Sequence, residues 1–200
     1  MDQMTIHILG CGSATPSLRH LPACQVVEYR GRLMMVDCGE GAQLSMRRAG
    51  LQMHRLTDIF ISHLHGDHCL GLPGLLSTLS LQQTGGTLTV HTFPDGCRMF
   101  RQMVDFFAPR LSYDLRFNEI SPKGGETLLD TPALTVTTFP LRHRVPCVGF
   151  RFDEKPKERH LRGDAANFHG IPPYLRRAIK QGADFTKPDG TVIPNELLTL

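Results

Sequence analysis

Short apolar runs of strand length alternate with glycine, proline and aspartate turns in the first third of the chain. Such runs occupy residues 5–10, 24–29 and 58–63, and residues 32–39 form a further run that ends in Asp-Cys-Gly. Apolar and β-branched runs of this length between turn residues are typical of β-strands. The pattern therefore predicts a sheet in this part of the chain.

Helical patterns follow and are interleaved with further strands. Residues 70–83 are long enough for a buried helix with Pro73 in its first turn, and residues 95–108 have the spacing of an amphipathic helix. Strand patterns occupy residues 87–93 and return between residues 113 and 152. Strands with outer helices predict an α/β fold with a two-layer sheet core and a helical cover.

The last section of the chain, residues 153–200, is polar and rich in charge, glycine and proline. Residues 151–187 carry nine lysines and arginines against five acids, a net charge of +4. Because this section lacks a continuous apolar face, we expect a mobile arm without a core of its own. The sequence therefore divides into a core at residues 1–152 and an arm at residues 153–200, the end of which starts the return to the core. A solvated charged hairpin is the alternative for the arm.

Composition narrows the classes of function. The chain has 22 lysines and arginines against 19 acids, and its formal charge of +3 permits an anionic partner such as a nucleic acid without requiring one. The six cysteines form no Cys-x-x-Cys pair and the amino terminus has no leader pattern, which predicts free thiols in a reducing cytoplasm. No apolar run approaches the roughly 18 to 20 residues of a membrane-spanning helix, so no membrane role is expected.

Three histidines and one aspartate lie within six consecutive positions just after a strand pattern. They are His63, His65, Asp67 and His68. His63 and His65 are two residues apart, so on an extended chain their side chains can point in the same direction. Gly66 allows the chain to turn, which can direct Asp67 and His68 toward a second point. This arrangement suits two divalent ions about 3.5 to 4 Å apart, which share a hydroxide for phosphoryl transfer. Imidazole and carboxylate without cysteine favour zinc, with manganese and iron as alternatives.

Two of these interpretations have alternatives. The histidine cluster can also be a polar surface loop that happens to hold histidines, or a single His–Asp ion pair with no metal, but then ligand types, spacing and flanking elements must all coincide. Asp37 ends the strand pattern at residues 32–39, where a buried carboxylate can accept a hydrogen bond from a ligating imidazole and orient it. Its alternative role is that of a turn aspartate that caps the next helix.

The motif His-x-His-x-Asp-His after a strand resembles the metallo-β-lactamase superfamily. With the upstream stretches LGCGSATPS and DCGEGAQ, the stretch SHLHGDHCLGLPGLL resembles the ribonuclease Z family of tRNA 3′-processing endonucleases. The resemblance runs over essentially the whole chain. It implies a metallo-β-lactamase-like αββα sandwich with two zinc ions per active site and a protruding charged arm. The sandwich is incomplete at its C-terminal end, because the sequence lacks the family's C-terminal third.

The resemblance also implies roles for individual residues. His63, His65 and His143 are similar to the ligands of one zinc, and Asp67 and His68 to ligands of the other, with Asp67 also the catalytic proton acceptor. The family's bridging aspartate and last histidine ligand lie beyond these 200 residues. In the arm, basic residues are available for tRNA phosphates. These are Arg176, Arg177 and Lys180.

By the same resemblance, the full-length protein is expected to be a zinc-dependent endoribonuclease. It would remove the 3′ trailer from precursor tRNA and leave a 3′-hydroxyl on the tRNA. A cytoplasmic homodimer with precursor tRNA as its partner is expected. The alternatives are another hydrolase of the superfamily, such as a phosphodiesterase or arylsulfatase, and a non-catalytic metal- or RNA-binding fragment if the chain truly ends at residue 200.

Overall fold

The computed structural model of the chain describes residues 3–14, 17 and 19–200. The chain forms two compact units. The larger one, which we call the core unit, comprises Met1–Asp130 and Thr135–Asp153. The smaller one, the arm unit, comprises Thr131–Leu134 and Glu154–Leu200.

Two sheets form the framework of the core unit. The strands of the large sheet are β1 (Thr5–Gly10), β2 (Cys24–Tyr29), β3 (Arg32–Val36), β4 (Leu56–Phe60), β5 (Thr87–Thr92) and β6 (Asp114–Glu119). They lie side by side in chain order, antiparallel from β1 to β3 and parallel from β3 to β6. The second sheet has the order β7 (Thr127–Asp130), β8 (Leu134–Pro140) and β9 (Val148–Glu154). The strands predicted in these regions are confirmed.

Helices connect the strands of the large sheet. They are α1 (Ala42–Arg48), α2 (Gly66–Cys69), α3 (Leu72–Leu81) and α4 (Pro94–Phe107), with a 3₁₀ turn at Met53–Arg55. The helix predicted at residues 70–83 is α3, which starts two residues later because Leu70 and Gly71 form a turn after the separate short helix α2, and which ends two residues earlier. Pro73 lies in the first turn of α3, where its missing N–H costs no helical hydrogen bond.

One face of the large sheet is covered by helices. Leu33 and Met35 of β3 belong to a buried cluster on this face, which also contains Met46 of α1, Leu76 of α3 and Phe100 of α4. Successive side chains of a strand point to opposite faces of the sheet, so Leu33 and Met35, which are two residues apart, both face the helices. Full burial of each such side chain contributes about 1.5 to 3 kcal/mol.

The opposite face of the large sheet packs against the second sheet. The ring of Phe60 on β4 lies 5.3 Å from that of Phe150 and 5.7 Å from that of Phe152, both on β9. The core unit therefore has one helical layer and two packed sheets, which confirms the predicted α/β class and two-layer sheet core.

The arm unit is built from short elements. They are α5 (Gly163–Phe168), a 3₁₀ turn at Pro173–Leu175, α6 (Arg176–Lys180), the hairpin strands β10 (Phe185–Thr186) and β11 (Val192–Ile193), and α7 (Asn195–Leu198).

The prediction that this section has no core of its own was wrong. Six apolar side chains from these elements form a buried cluster: Ala166, Ile171, Ile179, Phe185, Ile193 and Leu198. Because each comes from a different short element or turn, their spacing along the chain shows no helical or strand period. The absence of a periodic apolar face therefore did not mean the absence of a core.

The approach of two backbone segments in the core unit requires a glycine at position 71. A Cβ atom on Gly71 would overlap the carbonyl oxygen of Gly39 and lie 2.9 Å from that of Cys38. We expect Gly71→Ala to lower the free energy of unfolding by about 1 to 3 kcal/mol, because the backbone has to move. Urea denaturation measures the effect. The control is Gly85→Ala, since a Cβ on Gly85 meets no atom within 4 Å; equal stability of both variants would contradict the prediction.

Candidate metal centre

The histidine cluster lies at the end of a buried strand, as predicted. β4 ends at Phe60, a segment with a bend at Ser62 leads to His65, which is extended, and α2 begins at Gly66. The neighbouring parallel strand β3 ends at Val36, which pairs with Phe60, so Asp37 follows directly at the same edge. Ligand sites in sheets of this kind form outside the carboxyl ends of parallel strands.

Three imidazoles converge at this edge. One ring nitrogen from each of His63, His65 and His143 lies within 4.8 Å of the other two. Nε2 of His143 is 3.2 Å from Nδ1 of His65, although 78 residues separate them in the chain. The ring of His63 is buried, whereas that of His143 is exposed. Three nitrogens facing one point, with one side open to solvent, can hold a divalent metal ion and leave a coordination position free.

Asp67 and His68 lie beside the three imidazoles. The ring centroids of His63 and His68 are 3.9 Å apart, and Nε2 of His68 is 3.5 Å from Oδ2 of Asp67. The structure thus brings the five side chains named as candidate ligands into one group.

The carboxylate of Asp37 is buried behind this group, with 4% of the residue exposed. It accepts hydrogen bonds from the backbone N–H of Ser62 at 2.8 Å, from the Ser62 hydroxyl at 2.9 Å and from Nδ1 of His68 at 2.6 Å. The residue at the N-terminus of α1 is Gly41, and no side chain caps that helix. Asp37 therefore contacts an imidazole of the group, and the alternative role as a helix cap is not observed.

Ser62 is a contact that the sequence analysis missed. Its hydroxyl lies between Asp37 and His63, 3.0 Å from Nδ1 of the latter. A serine after a strand does not belong to any recognisable sequence motif. Ser62 lies next to Asp37 only because of the register in which β3 pairs with β4.

Burial and neighbouring charges affect the two central imidazoles differently. Burial, followed by the proximity of His68, lowers the pKa of His63 to about 4, so this ring is uncharged at neutral pH and has a lone pair for a metal ion. Burial is the largest effect on His68 and opposes its protonation, but the hydrogen bond to Asp37 and the negative charges of Asp37 and Asp67 together outweigh it and raise the pKa of His68. A metal ion at His68 would compete with a proton for this ring.

The cysteines near the site carry buried, neutral thiols. All six thiols of the chain are free, as predicted. Burial raises the pKa of Cys24 to about 12 and that of Cys69 to about 11, so both remain protonated at neutral pH. The Cys69 thiol instead donates a hydrogen bond to the carbonyl oxygen of His65 at 3.3 Å.

The three basic residues named for the arm lie on one short helix, α6. Arg177 is exposed, whereas Arg176 and Lys180 are half-buried. Lys180 also lines a cavity of about 540 Å³ together with Lys157 and Arg159, which the sequence analysis did not single out. None of the helices in the described part of the chain has the length and hydrophobicity of a membrane span.

Two known proteins match this chain along its whole length. Ribonuclease Z of Phocaeicola vulgatus is 46% identical over 200 residues, which are 100% of this chain and 65% of that protein. Ribonuclease Z of Bacteroides thetaiotaomicron is 48% identical over 200 residues, again 100% of this chain but 63% of that protein. The chain thus spans about 65% of the length of these relatives.

A family profile described as "Anti-Pycsar protein Apyc1" matches residues 4–91, less than half of the chain.

Solved structures agree with the relatives. The short form of human tRNase Z superposes with a TM-score of 0.69 at 29% identity, over 78% of this chain and 66% of that one. The metallo-β-lactamase fold protein YhfI from Bacillus subtilis has a TM-score of 0.59 at 16% identity, over 82% of this chain and 67% of that one, which shows the shared fold. With relatives 46% and 48% identical along its whole length, and with this shared fold, the chain is a homologue of ribonuclease Z that has the metallo-β-lactamase fold.

Proposed function

We propose that the intact protein containing this chain is a zinc-dependent endoribonuclease that removes the 3′ trailer from precursor tRNA and leaves a 3′-hydroxyl. The observation that carries this proposal is the convergence of His63, His65 and His143 within 4.8 Å, in a chain whose relatives are named Ribonuclease Z. Because the chain spans about 65% of those relatives, the activity is proposed for the whole gene product. The family resemblance supports a cytoplasmic homodimer as its setting.

The donor set fits zinc. His65 Nδ1 and His143 Nε2 lie 3.2 Å apart, where two lone pairs repel unless a proton or a cation lies between them. The imidazoles of His63, His65 and His143 would hold one zinc, and Asp67 and His68 would contribute to a second. When bound, such a pair supplies a hydroxide at neutral pH and stabilises charge on phosphoryl oxygens.

Asp67 is the candidate proton acceptor. Its carboxylate is half-buried and lies beside His68, with Oδ2 3.5 Å from Nε2 of that ring. An ionised carboxylate has only acceptor sites, so it can orient the attacking water through one hydrogen bond and then take its proton. His68 in turn is oriented by Asp37, which keeps the ring edge next to Asp67 in place.

The arm unit is the candidate tRNA-binding part. Arg176, Arg177 and Lys180 would contact phosphates, and the cavity next to Lys180 adds two further cations, Lys157 and Arg159. Phosphate contacts supply most of the sequence-independent affinity for nucleic acids.

Another hydrolase of the same fold, such as a phosphodiesterase, is the second candidate. Because residues 4–91 match the profile of a different family, this part of the chain does not by itself distinguish ribonuclease Z from other proteins. Coverage favours ribonuclease Z: that profile ends before His143 and the arm unit, whereas the ribonuclease Z relatives match both.

Metal binding can be tested on the 200-residue chain itself. We expect His143→Ala to weaken zinc binding by more than about tenfold, because it removes one of three converging nitrogens and even the loss of a residue behind the ligands costs 10- to 100-fold. Competition with a chromogenic chelator measures the affinity. His54→Ala is the control, since His54 is an exposed histidine outside the group. Equal zinc affinities of the two variants would contradict the proposal that His143 is a metal ligand.

The role of Asp67 requires the intact gene product. We expect Asp67→Ala to reduce cleavage of precursor tRNA by at least about a hundredfold, the usual contribution of a general base, while tRNA binding stays nearly unchanged. A gel-shift beside a cleavage assay measures both. Asp95→Ala, which removes an exposed carboxylate on α4, is the matched control.

Two results would contradict that expectation. One is a loss of tRNA binding equal to the loss of cleavage, which would show that Asp67 acts in binding. The other is a wild-type gene product that cleaves no precursor tRNA although its mass matches that of the relatives. A mass that corresponds to 200 residues would instead favour the non-catalytic fragment.

The arm residues can be tested through salt dependence. We expect the triple variant Arg176→Ala, Arg177→Ala, Lys180→Ala to bind tRNA more weakly, with a log–log salt slope reduced by roughly 0.7 to 0.9 per lost phosphate contact. Hydrolysis of a small phosphodiester should be almost unchanged, because it presents no further phosphates.

The matched control removes the same charge from the core unit, through alanine at the exposed residues Arg47, Arg48 and Lys123. Because Arg176 is half-buried and its Nε has no hydrogen-bond partner among the described residues, the single variant Arg177→Ala guards against a folding effect. Equal losses of tRNA cleavage and small-substrate hydrolysis in the triple variant would contradict the proposed role in tRNA binding. They would indicate that these arm residues have a structural role.

A further inference from the structure

A chain of hydrogen bonds leads from Asp37 through Ser62 to His63. Oδ2 of Asp37 is 2.9 Å from the Ser62 hydroxyl oxygen, which is itself 3.0 Å from Nδ1 of His63. The same Oδ2 atom is 2.6 Å from Nδ1 of His68. One carboxylate thus contacts one imidazole directly and the other through a hydroxyl.

The protons of this chain can be assigned by counting. A serine hydroxyl has one hydrogen, and a carboxylate only accepts, so the Ser62 hydrogen points to Asp37. The Ser62 oxygen then offers a lone pair to His63, and Nδ1 of His63 has to carry a hydrogen to make that contact. In a neutral imidazole with its proton on Nδ1, the lone pair is on Nε2.

The backbone holds Ser62 in position for this contact. Its N–H donates to Oδ1 of Asp37 at 2.8 Å, and its carbonyl oxygen accepts from the N–H of Val148 at 3.0 Å. The N–H of Asp37 in turn donates to the carbonyl oxygen of Phe60 at 2.8 Å. The hydroxyl therefore lies between partners that are anchored to both sheets of the core unit.

We propose that Ser62 is a positioning residue that fixes His63 in the tautomer with its proton on Nδ1 and so presents Nε2 to the metal ion. Asp37 fixes His68 in the same tautomer by its direct hydrogen bond. This inference rests on the metal-binding part of the proposed function, and it is independent of the tRNA substrate. It adds to the site a residue that binds neither metal nor substrate.

The tautomer is directly measurable by long-range ¹H–¹⁵N NMR of the imidazole rings in the metal-free 200-residue chain at neutral pH. We expect His63 to show a protonated Nδ1 and an unprotonated Nε2, with its signals assigned by comparison with His63→Ala. A proton on Nε2 instead would overturn the proposal without any substitution at Ser62.

Substitution at Ser62 separates positioning from mere packing. We expect Ser62→Ala to release the tautomer, so that a form with the proton on Nε2 appears, and to weaken zinc binding by about 10- to 100-fold. Ser62→Thr keeps a hydroxyl and should keep the wild-type tautomer and an affinity within about threefold of the wild type, since the loss expected without the hydroxyl is larger. Ser80→Ala is the matched control, because its hydroxyl donates to the carbonyl oxygen of Arg110 and contacts none of the site residues.

A purely structural Ser62 would give another result: lower stability of Ser62→Ala with the His63 tautomer unchanged, which overturns the proposal. If Ser62→Ala does not fold, the wild-type spectrum and Ser62→Thr still decide the question. A gene product that shows the expected tautomer but cleaves no precursor tRNA would refute the proposed substrate and support the role of Ser62.

Discussion

The hydrogen bonds of the buried Asp37 carboxylate are the interaction on which the geometry of the candidate metal centre depends. The carboxylate accepts three hydrogen bonds, two from Ser62 and one from His68, and so joins the ends of β3 and β4 to helix α2. A buried carboxylate without such partners would cost several kcal/mol, of order 3 to 5 when a buried ion pair loses one member. The fold at this edge is therefore stable only when Ser62 and His68 take the positions that the site needs.

Backbone contacts reinforce the same junction. The N–H of Cys38 donates to the carbonyl oxygen of His68 at 2.7 Å, and the N–H of Gly71 donates to that of Cys38 at 2.9 Å. The loop after β3 is thereby paired through its main chain with α2 and with the start of α3, with no space for a side chain at Gly71. Because sites on rigid elements keep their geometry better than sites on free loops, this pairing makes a loop cluster suitable for metal binding.

The local pattern of apolar and polar residues was sufficient to predict the helices and strands of the core unit, but not the contacts between distant parts of the chain. α4 could be predicted to within one residue at each end because its apolar positions follow the helical period over 14 residues. The apolar residues of the arm unit follow no period, and its core depends on a buried polar residue, Asn195. The amide nitrogen of Asn195 donates to the carbonyl oxygens of Ile179 and Ala183, and its oxygen accepts from Arg159. The approach of His143 to His65 was likewise accessible only through family resemblance, because no local period connects residues 78 positions apart.

The crowded imidazoles of the histidine group form an arrangement that a bound cation would stabilise. Burial and the neighbouring imidazoles disfavour a charge on His63, and one ring nitrogen from each of His63, His65 and His143 lies within 4.8 Å of the other two. Native proteins keep such unfavourable local arrangements at functional sites, where a ligand compensates for them. An ion that binds only the folded chain adds RT ln(1 + [L]/Kd) to its stability, about 2.7 kcal/mol at a free concentration of 100 Kd. Metal binding and folding of the core unit are therefore coupled, and the Asp37–Ser62 junction is where the two meet.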